Sequence, residues 1–190
     1  MTTEHTGKQV RKAAKEYTPG PAAIQAPWRM EYLEDTSAAH TKSATDAGTF
    51  LSDYWSTPEH DARNFVIERT TVGMILLNRY PYSNGHLLIA LGDPRPTLLD
   101  YDTAQRSSLW QLVDRAVDLT HRTLSPQGVN IGINQGRAAG AGVPAHLHAH
   151  VVPRWSGDVN FMSVVGQIRV IPSSLEAMYT RFRSVIEAGR

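Results

Sequence analysis

From residue 65 onward, apolar residues cluster and alternate along the chain in patterns that identify its elements. Phe65-Val66-Ile67-Glu68-Arg69 and Val72-Gly73-Met74-Ile75-Leu76-Leu77-Asn78 predict two strands joined by a short turn. Tyr80-Pro81-Tyr82-Ser83-Asn84-Gly85 is dense in turn formers. His86 to Leu91 predicts a third strand, and Pro94 and Pro96 then break the chain. From about Thr103 to Leu124, the residues Leu109, Leu112, Val113, Ala116, Val117 and Leu124 recur at three- and four-residue steps, as one buried helical face requires. Thr120 interrupts that face and Leu119 falls at its edge. Val129-Asn130-Ile131-Gly132-Ile133-Asn134 alternates as a half-buried strand does, and a further strand is predicted from His146 to Val152. Leu175, Met178, Phe182, Val185 and Ile186 mark one side of a last helix, about Ser173 to Ala188. Strands linked by tight turns, with one long helix inserted, imply an α+β domain. It is built on a mostly antiparallel sheet of about five strands, one long helix and a C-terminal helix.

Upstream the pattern is weaker. Residues 1–25 are polar and lightly basic, contain Pro19-Gly20-Pro21, and predict a flexible arm. The aromatic and apolar positions of Trp28 to Leu33 predict a segment docked on the domain. Residues 35–62 are poor in aliphatics and rich in Ala, Thr, Ser and Asp. They predict a long irregular excursion, partly pinned by Phe50, Leu51, Tyr54 and Trp55. A loop of that length in a compact domain is usually functional or disordered. The expected organisation is therefore the arm, then one domain over 26–190 with its core at 65–155.

Composition narrows the chemistry. With 190 residues, 41% of them hydrophobic, the chain can bury one core. Nineteen basic against eighteen acidic side chains leave a net charge of +1. A protein held on a nucleic-acid backbone would show a larger basic excess, so no nucleic-acid partner is expected. The absence of cysteine removes disulfides, thiolate catalysis and cysteine-based zinc sites. No apolar run approaches the roughly 20 residues that span a bilayer, and the N-terminus lacks an apolar secretory stretch. A soluble, cytoplasmic protein with no membrane partner is expected.

The chemistry concentrates at His146-Leu147-His148-Ala149-His150. On a strand these imidazoles share one face, with Leu147, Ala149 and Val151 on the other. Two chemistries compete. Neutral imidazoles can ligate a divalent metal, or one can act as nucleophile or base while its neighbours orient it and stabilise charge. The preceding Gln135 to Pro144 is small and glycine-rich, which lets backbone N–H groups approach an anion. No Asp or Glu lies in this loop or strand to complete a metal shell. The combination favours phosphate chemistry, with no metal expected.

At these residues the chain resembles the histidine triad superfamily, whose signature is His-φ-His-φ-His-φ-φ with φ hydrophobic; His146 to Val152 matches it in full. Leu77 to Pro81 followed by Gly85 to Leu88 looks like the family's strand–turn–strand that contacts the nucleoside. The resemblance covers about Phe65 to Arg154. Two flanks, Ala26 to Tyr32 and Arg154 to Phe161, are similar to the bacterial diadenosine tetraphosphate phosphorylase branch. The resemblance implies a nucleotidyl-histidine mechanism with His148 as nucleophile. It makes His150 the donor to phosphate oxygens and His146 and His86 supports of the histidine network. It implies ribose contact at Asn78. It places the α-phosphate at Asn134 and the loop around Gly140, Ala141, Gly142 and Val143. Arg154 and Trp155 become candidates for distal phosphates or a base. No cofactor is implied beyond inorganic phosphate as co-substrate in a phosphorylase. A homodimer or higher homo-oligomer is expected, with the long helix and a central strand as the contact. Hydrolysis of a nucleotide, or a nucleotide-binding sensor without turnover, are the alternative functions.

Two departures bear on activity. Relatives commonly carry Ser, Thr or Gln three or four residues before the first triad histidine, where this chain has Val143 and Gly142. Many also carry an upstream Cys-x-x-Cys zinc site that this chain lacks; His40 and His60 lie in that region and read as solvated. Arg137, Arg154 and Arg169 are the candidate cations for an attacking phosphate. Trp110, on the long helix, reads as core or subunit packing.

Overall fold

The structure is a computed structural model that describes residues 48–158 and 170–189. The arm, the Trp28 flank, His40, Asn160, Phe161 and Arg169 lie outside the described residues. Five strands form one sheet: β1 (Val66–Arg69), β2 (Gly73–Leu77), β3 (Leu87–Leu91), β4 (Gly128–Ile133) and β5 (His148–Arg154). Their order is β1-β2-β3-β5-β4, with every pairing antiparallel. Among the described residues three α-helices accompany them: α1 (Phe50–Ser56), α2 (Thr103–Leu124) and α3 (Leu175–Ala188). The fold is α+β on an antiparallel sheet, as the sequence pattern implies.

The register sorts the side chains. Leu87 lies opposite Val151 and Ile89 opposite Ala149, while Leu88 lies opposite His150 and Ala90 opposite His148. Directly opposed residues share a face. The Leu87, Ile89, Ala149, Val151 face joins Ile67, Ile75, Leu77 and Leu147 and is buried under α2 and α3. The other face carries Val66, Met74, Leu76, Leu88 and Ala90, covered by Leu51, Tyr54 and Trp55 of α1. The histidines emerge on this second face.

Helix α2 starts at a capping box of Asp102 and Gln105 and ends at Ser125 in the left-handed conformation. Because α3 also packs against α2, the buried stripe is wider than one face. Leu119 and Thr120, expected at an edge and as an interruption, are both 0% exposed. Trp110 is 47% exposed, which excludes it from the core. β4 is an edge strand, and its Ile131 is likewise 47% exposed rather than half-buried.

Within the expected irregular excursion, Phe50–Ser56 form a helix and Pro58–His60 a single 3-10 turn. Thr49 caps α1 by accepting the Ser52 N–H at 3.2 Å. Leu51, Tyr54 and Trp55 stand at helical spacing and bury against the sheet. At the far end, Arg69 donates to the carbonyls of Tyr54 and Trp55 at 2.7 and 2.9 Å while paired to Asp61. These bonds satisfy carbonyls that a helix end leaves open. Gly92, just after β3, admits the Trp55 indole; a Cβ there would lie 2.2 Å from the ring.

Candidate active site

The strand predicted to begin at His146 begins at His148 and runs on to Arg154. His146 and Leu147 precede the ladder because the Leu147 N–H is bonded to the Arg95 carbonyl, at 2.7 Å, outside the sheet. The alternation nevertheless reaches back. Leu147 enters the main core, and His146 reaches α1 on the other side.

Hydrogen bonds assign the proton positions of all four buried histidines. Backbone carbonyls only accept and backbone N–H groups only donate. His148 Nδ1 lies 3.0 Å from the His146 carbonyl, so Nδ1 carries the proton and Nε2 of the neutral ring holds a lone pair. His146 Nε2 donates to the Leu91 carbonyl at 2.8 Å, so its Nδ1 accepts, from the hydroxyls of Thr49 at 3.1 Å and Ser52 at 3.3 Å. The Tyr82 N–H donates to His86 Nδ1 at 3.1 Å, and the Asn78 amide reaches the same nitrogen at 3.2 Å. His86 Nε2 must then carry a proton, which it donates to His150 Nδ1 at 3.0 Å. His150 is thereby fixed with its proton on Nε2, a buried donor with no partner among the described residues.

The site therefore presents a lone pair on His148 beside an N–H on His150, with ring centroids 5.0 Å apart. Burial keeps the rings neutral. It holds His146 and His148 below the ordinary imidazole range, and it pushes His150 down to about 4, aided by the neighbouring His148. Tyr82 stacks on His150 at 5.9 Å and contacts His86 at 4.6 Å, covering the pair. Most ring nitrogens are already committed to protein groups, and among the described residues no group of three or more His, Asp or Glu is placed to hold a metal ion.

The remaining sequence candidates divide. Asn78 joins the network through His86, and its Oδ1 accepts the Tyr80 N–H at 2.9 Å. β4 pairs Gly132 with His150, so Asn130, Gly132 and Asn134 share the histidine face. The Asn134 amide reaches the Gly140 carbonyl at 3.4 Å, which ties the loop to the strand. In that loop the Ala141 N–H is already bonded to the Gly136 carbonyl, at 3.2 Å. Of the four loop residues singled out in the sequence, Gly140 also donates within the loop, to the Arg137 carbonyl, so Gly142 and Val143 are the two whose N–H groups have no backbone acceptor among the described residues. Arg154 is bound to Asp158 and Asn130 four residues beyond His150, roughly 13 Å along the strand. It is not brought to the triad, and the N–H of the following Trp155 is bonded to the same Asp158. Arg137 is exposed at the glycine loop, and His60 is exposed near α1. Sequence reasoning missed Thr49 and Ser52. Their signal was the capping residue Thr49 ahead of apolar positions at helical spacing.

The HIT domain family model matches residues 59–157. The AP-4-A phosphorylase of Mycobacterium tuberculosis is 34% identical over 152 residues, which cover 78% of this chain and 76% of that protein. The asymmetrical bis(5'-nucleosyl)-tetraphosphatase of Schizosaccharomyces pombe is 31% identical over 93 residues, 49% of this chain and 50% of that one. A zinc-bound histidine triad family protein from Mycobacterium smegmatis superposes with a TM-score of 0.59 at 24% identity, covering 75% of this chain and all of that one. A histidine triad nucleotide-binding protein from Sulfolobus tokodaii gives 0.58 at 23%, covering 72% and 92%. These two structures share its fold. Sequence, sheet topology and the histidine cluster agree, and the chain belongs to the HIT domain family.

Proposed function

We propose that the protein is a nucleotidyl-transferring enzyme that processes dinucleoside polyphosphates through a covalent intermediate on His148. The observation that carries this is the pairing of a fixed lone pair on His148 Nε2 with a fixed, unpartnered N–H on His150. A phosphorus centre is shielded by anionic oxygens, so a donor must offset charge before a neutral imidazole can attack. His148 Nε2 attacks the α-phosphorus of diadenosine tetraphosphate, the P–O bond to the bridging oxygen breaks, and ATP leaves. His150 Nε2–H supports the developing negative charge, as do the N–H groups of Gly142 and Val143. An incoming nucleophile then attacks the adenylyl group, the P–N bond breaks, and His148 is restored.

Inorganic phosphate as that nucleophile yields ADP. This reading draws on the phosphorylase relative and needs a cation beside the intermediate. Of the three arginines considered, Arg154 is occupied by Asp158 and Arg169 lies outside the described residues, which leaves Arg137 on the glycine loop. Water as nucleophile yields AMP instead, and needs no such cation. No cofactor is required for either route. A second copy of the chain would cover the exposed Trp110 of α2 and the outer edge of β4 with Ile131, which pairs with no further strand among the described residues. The edge strand, not a central one, is the available contact.

Intact-protein mass spectrometry after an alkaline quench of the reaction with diadenosine tetraphosphate, which preserves the acid-labile P–N bond, is expected to show an adenylyl adduct, absent in His148→Ala. Separating the products with and without phosphate decides the nucleophile. ADP plus ATP only with phosphate supports phosphorolysis, and AMP plus ATP at a phosphate-independent rate supports hydrolysis. Substrate bound with no product over hours would leave a nucleotide sensor and overturn the proposal.

A further inference from the structure

We infer that Thr49 and Ser52, on the first turn of α1, are positioning residues that aim the His148 nucleophile through His146. The inference rests on His148 being the nucleophile. The two hydroxyls lie 3.0 Å apart, and both face His146 Nδ1, at 3.1 and 3.3 Å, from a point 94 to 97 residues earlier in the chain. His146 is fully buried, with Nε2 spent on the Leu91 carbonyl, so Nδ1 must accept, and the hydroxyl pair supplies its donor. The ring is thus held from both sides, by β3 and by α1.

His146 sits outside the ladder that fixes the rest of β5. Its carbonyl is the group that accepts the His148 Nδ1–H, so whatever orients residue 146 also sets the direction of the His148 lone pair. Tertiary bonds supply that orientation where the sheet does not. Thr49 has a second task, because the same oxygen accepts the Ser52 N–H and closes the first turn of α1. The Ser52 hydroxyl meets the Thr49 hydroxyl and the ring.

α1 is built to hold this contact. Leu51 is fully buried against the sheet, Arg69 clamps the last carbonyls, and Trp55 lies on Gly92, the neighbour of Leu91. The helix and the strand that grip His146 are therefore packed on each other at the gripping point. An apolar replacement of the hydroxyls leaves a buried imidazole nitrogen without a donor. The ring can then regain a partner for that nitrogen only by turning, because exchanging tautomer would also break the Nε2–H bond to the Leu91 carbonyl.

The test combines kinetics with imidazole spectroscopy on the full chain. Thr49→Val/Ser52→Ala is expected to slow adenylation of His148 by roughly 10- to 100-fold, the scale set by small misplacements of a reacting group, with little change in KM. Thr49→Ser is expected to restore the rate. In 15N-histidine spectra, wild type is expected to show His146 protonated on Nε2 and His148 on Nδ1, and the double variant to show both signals altered. If the double variant fails to fold, Ser52→Ala alone, which keeps the cap of α1, carries the same spectroscopic comparison. Unchanged rings with an unchanged rate overturn the inference, as does a slowed rate with both rings unchanged. Altered rings in a protein whose wild type forms no adduct would uphold the clasp and reject the proposed function.

Discussion

The His150 N–H is the clearest trace of function at the level of single residues. A buried donor without a partner costs about 1–3 kcal/mol, and the fold maintains this one through a chain of assigned protons. It runs from the Tyr82 N–H through His86 to His150. Each link uses a group that can only donate or has only one proton to give. In His86→Gln the chain is broken, and His150 is no longer bound to a single tautomer. His150→Asn removes the Nε2–H from its place beside His148 and is expected to lower the rate of His148 adenylation by about 10²–10³, the usual cost of losing one charge-stabilising donor. Rapid-quench measurement of the adduct checks this. A change below threefold would show that other groups carry the charge. The three histidines of the motif and His86 were legible from period-two spacing and the family pattern. Their tautomers were not, because these depend on which backbone groups fold against each ring.

Among the elements, α1 shows what local pattern leaves undecided. Seven residues form too short a helix to be stable alone. Its polar flanks read as a loop, and only packing on the second face of the sheet and the Arg69 clamp make it persist. Gly92→Ala places a Cβ 2.2 Å from the Trp55 ring and is expected to destabilise the protein by about 1–3 kcal/mol. Urea denaturation reads that loss. The variant is also expected to weaken the α1 contact with His146, and a protein as stable as wild type would show that Trp55 moves aside freely. The C-terminal helix offers the contrasting case. Met178, Phe182 and Ile186 were evident from spacing and are buried. Phe182→Ala is expected to cost about 3–5 kcal/mol, measurable by the same method. A loss below 1 kcal/mol would mean that α3 closes little of the core.

For the whole molecule, the buried histidines couple stability to pH. In the unfolded chain each imidazole takes a proton below about 6.5. In the folded chain burial keeps His150 neutral until about 4, with His146 and His148 shifted in the same direction. The unfolded state therefore binds more protons between these values, and stability rises with pH across that window. It is complete above about pH 6.5 and falls as the pH drops toward 4. From pH 7.5 to 5, His150 alone is expected to contribute a loss of about 2 kcal/mol. Comparing urea midpoints at the two pH values tests it, with His150→Asn expected to show the smaller loss. Equal losses in both proteins would assign the acid sensitivity elsewhere.

Period and composition were enough to establish the α+β class, the strand–turn–strand beginning at Phe65, the α2 boundaries and the histidine face. These follow from side-chain direction, which repeats every two residues in a strand and every 3.6 in a helix. Tertiary structure decided the rest, because each remaining feature joins distant parts of the chain. Helix α3 widened the buried stripe of α2 to include Leu119 and Thr120. The Arg95 carbonyl drew Leu147 out of the ladder and delayed β5 to His148. Asp158 and Asn130 claimed Arg154, a candidate cation with no partner evident in one dimension. Thr49 and Ser52 met His146 across more than ninety residues. Local spacing encodes which way a side chain points, and only the packed chain determines what it meets there.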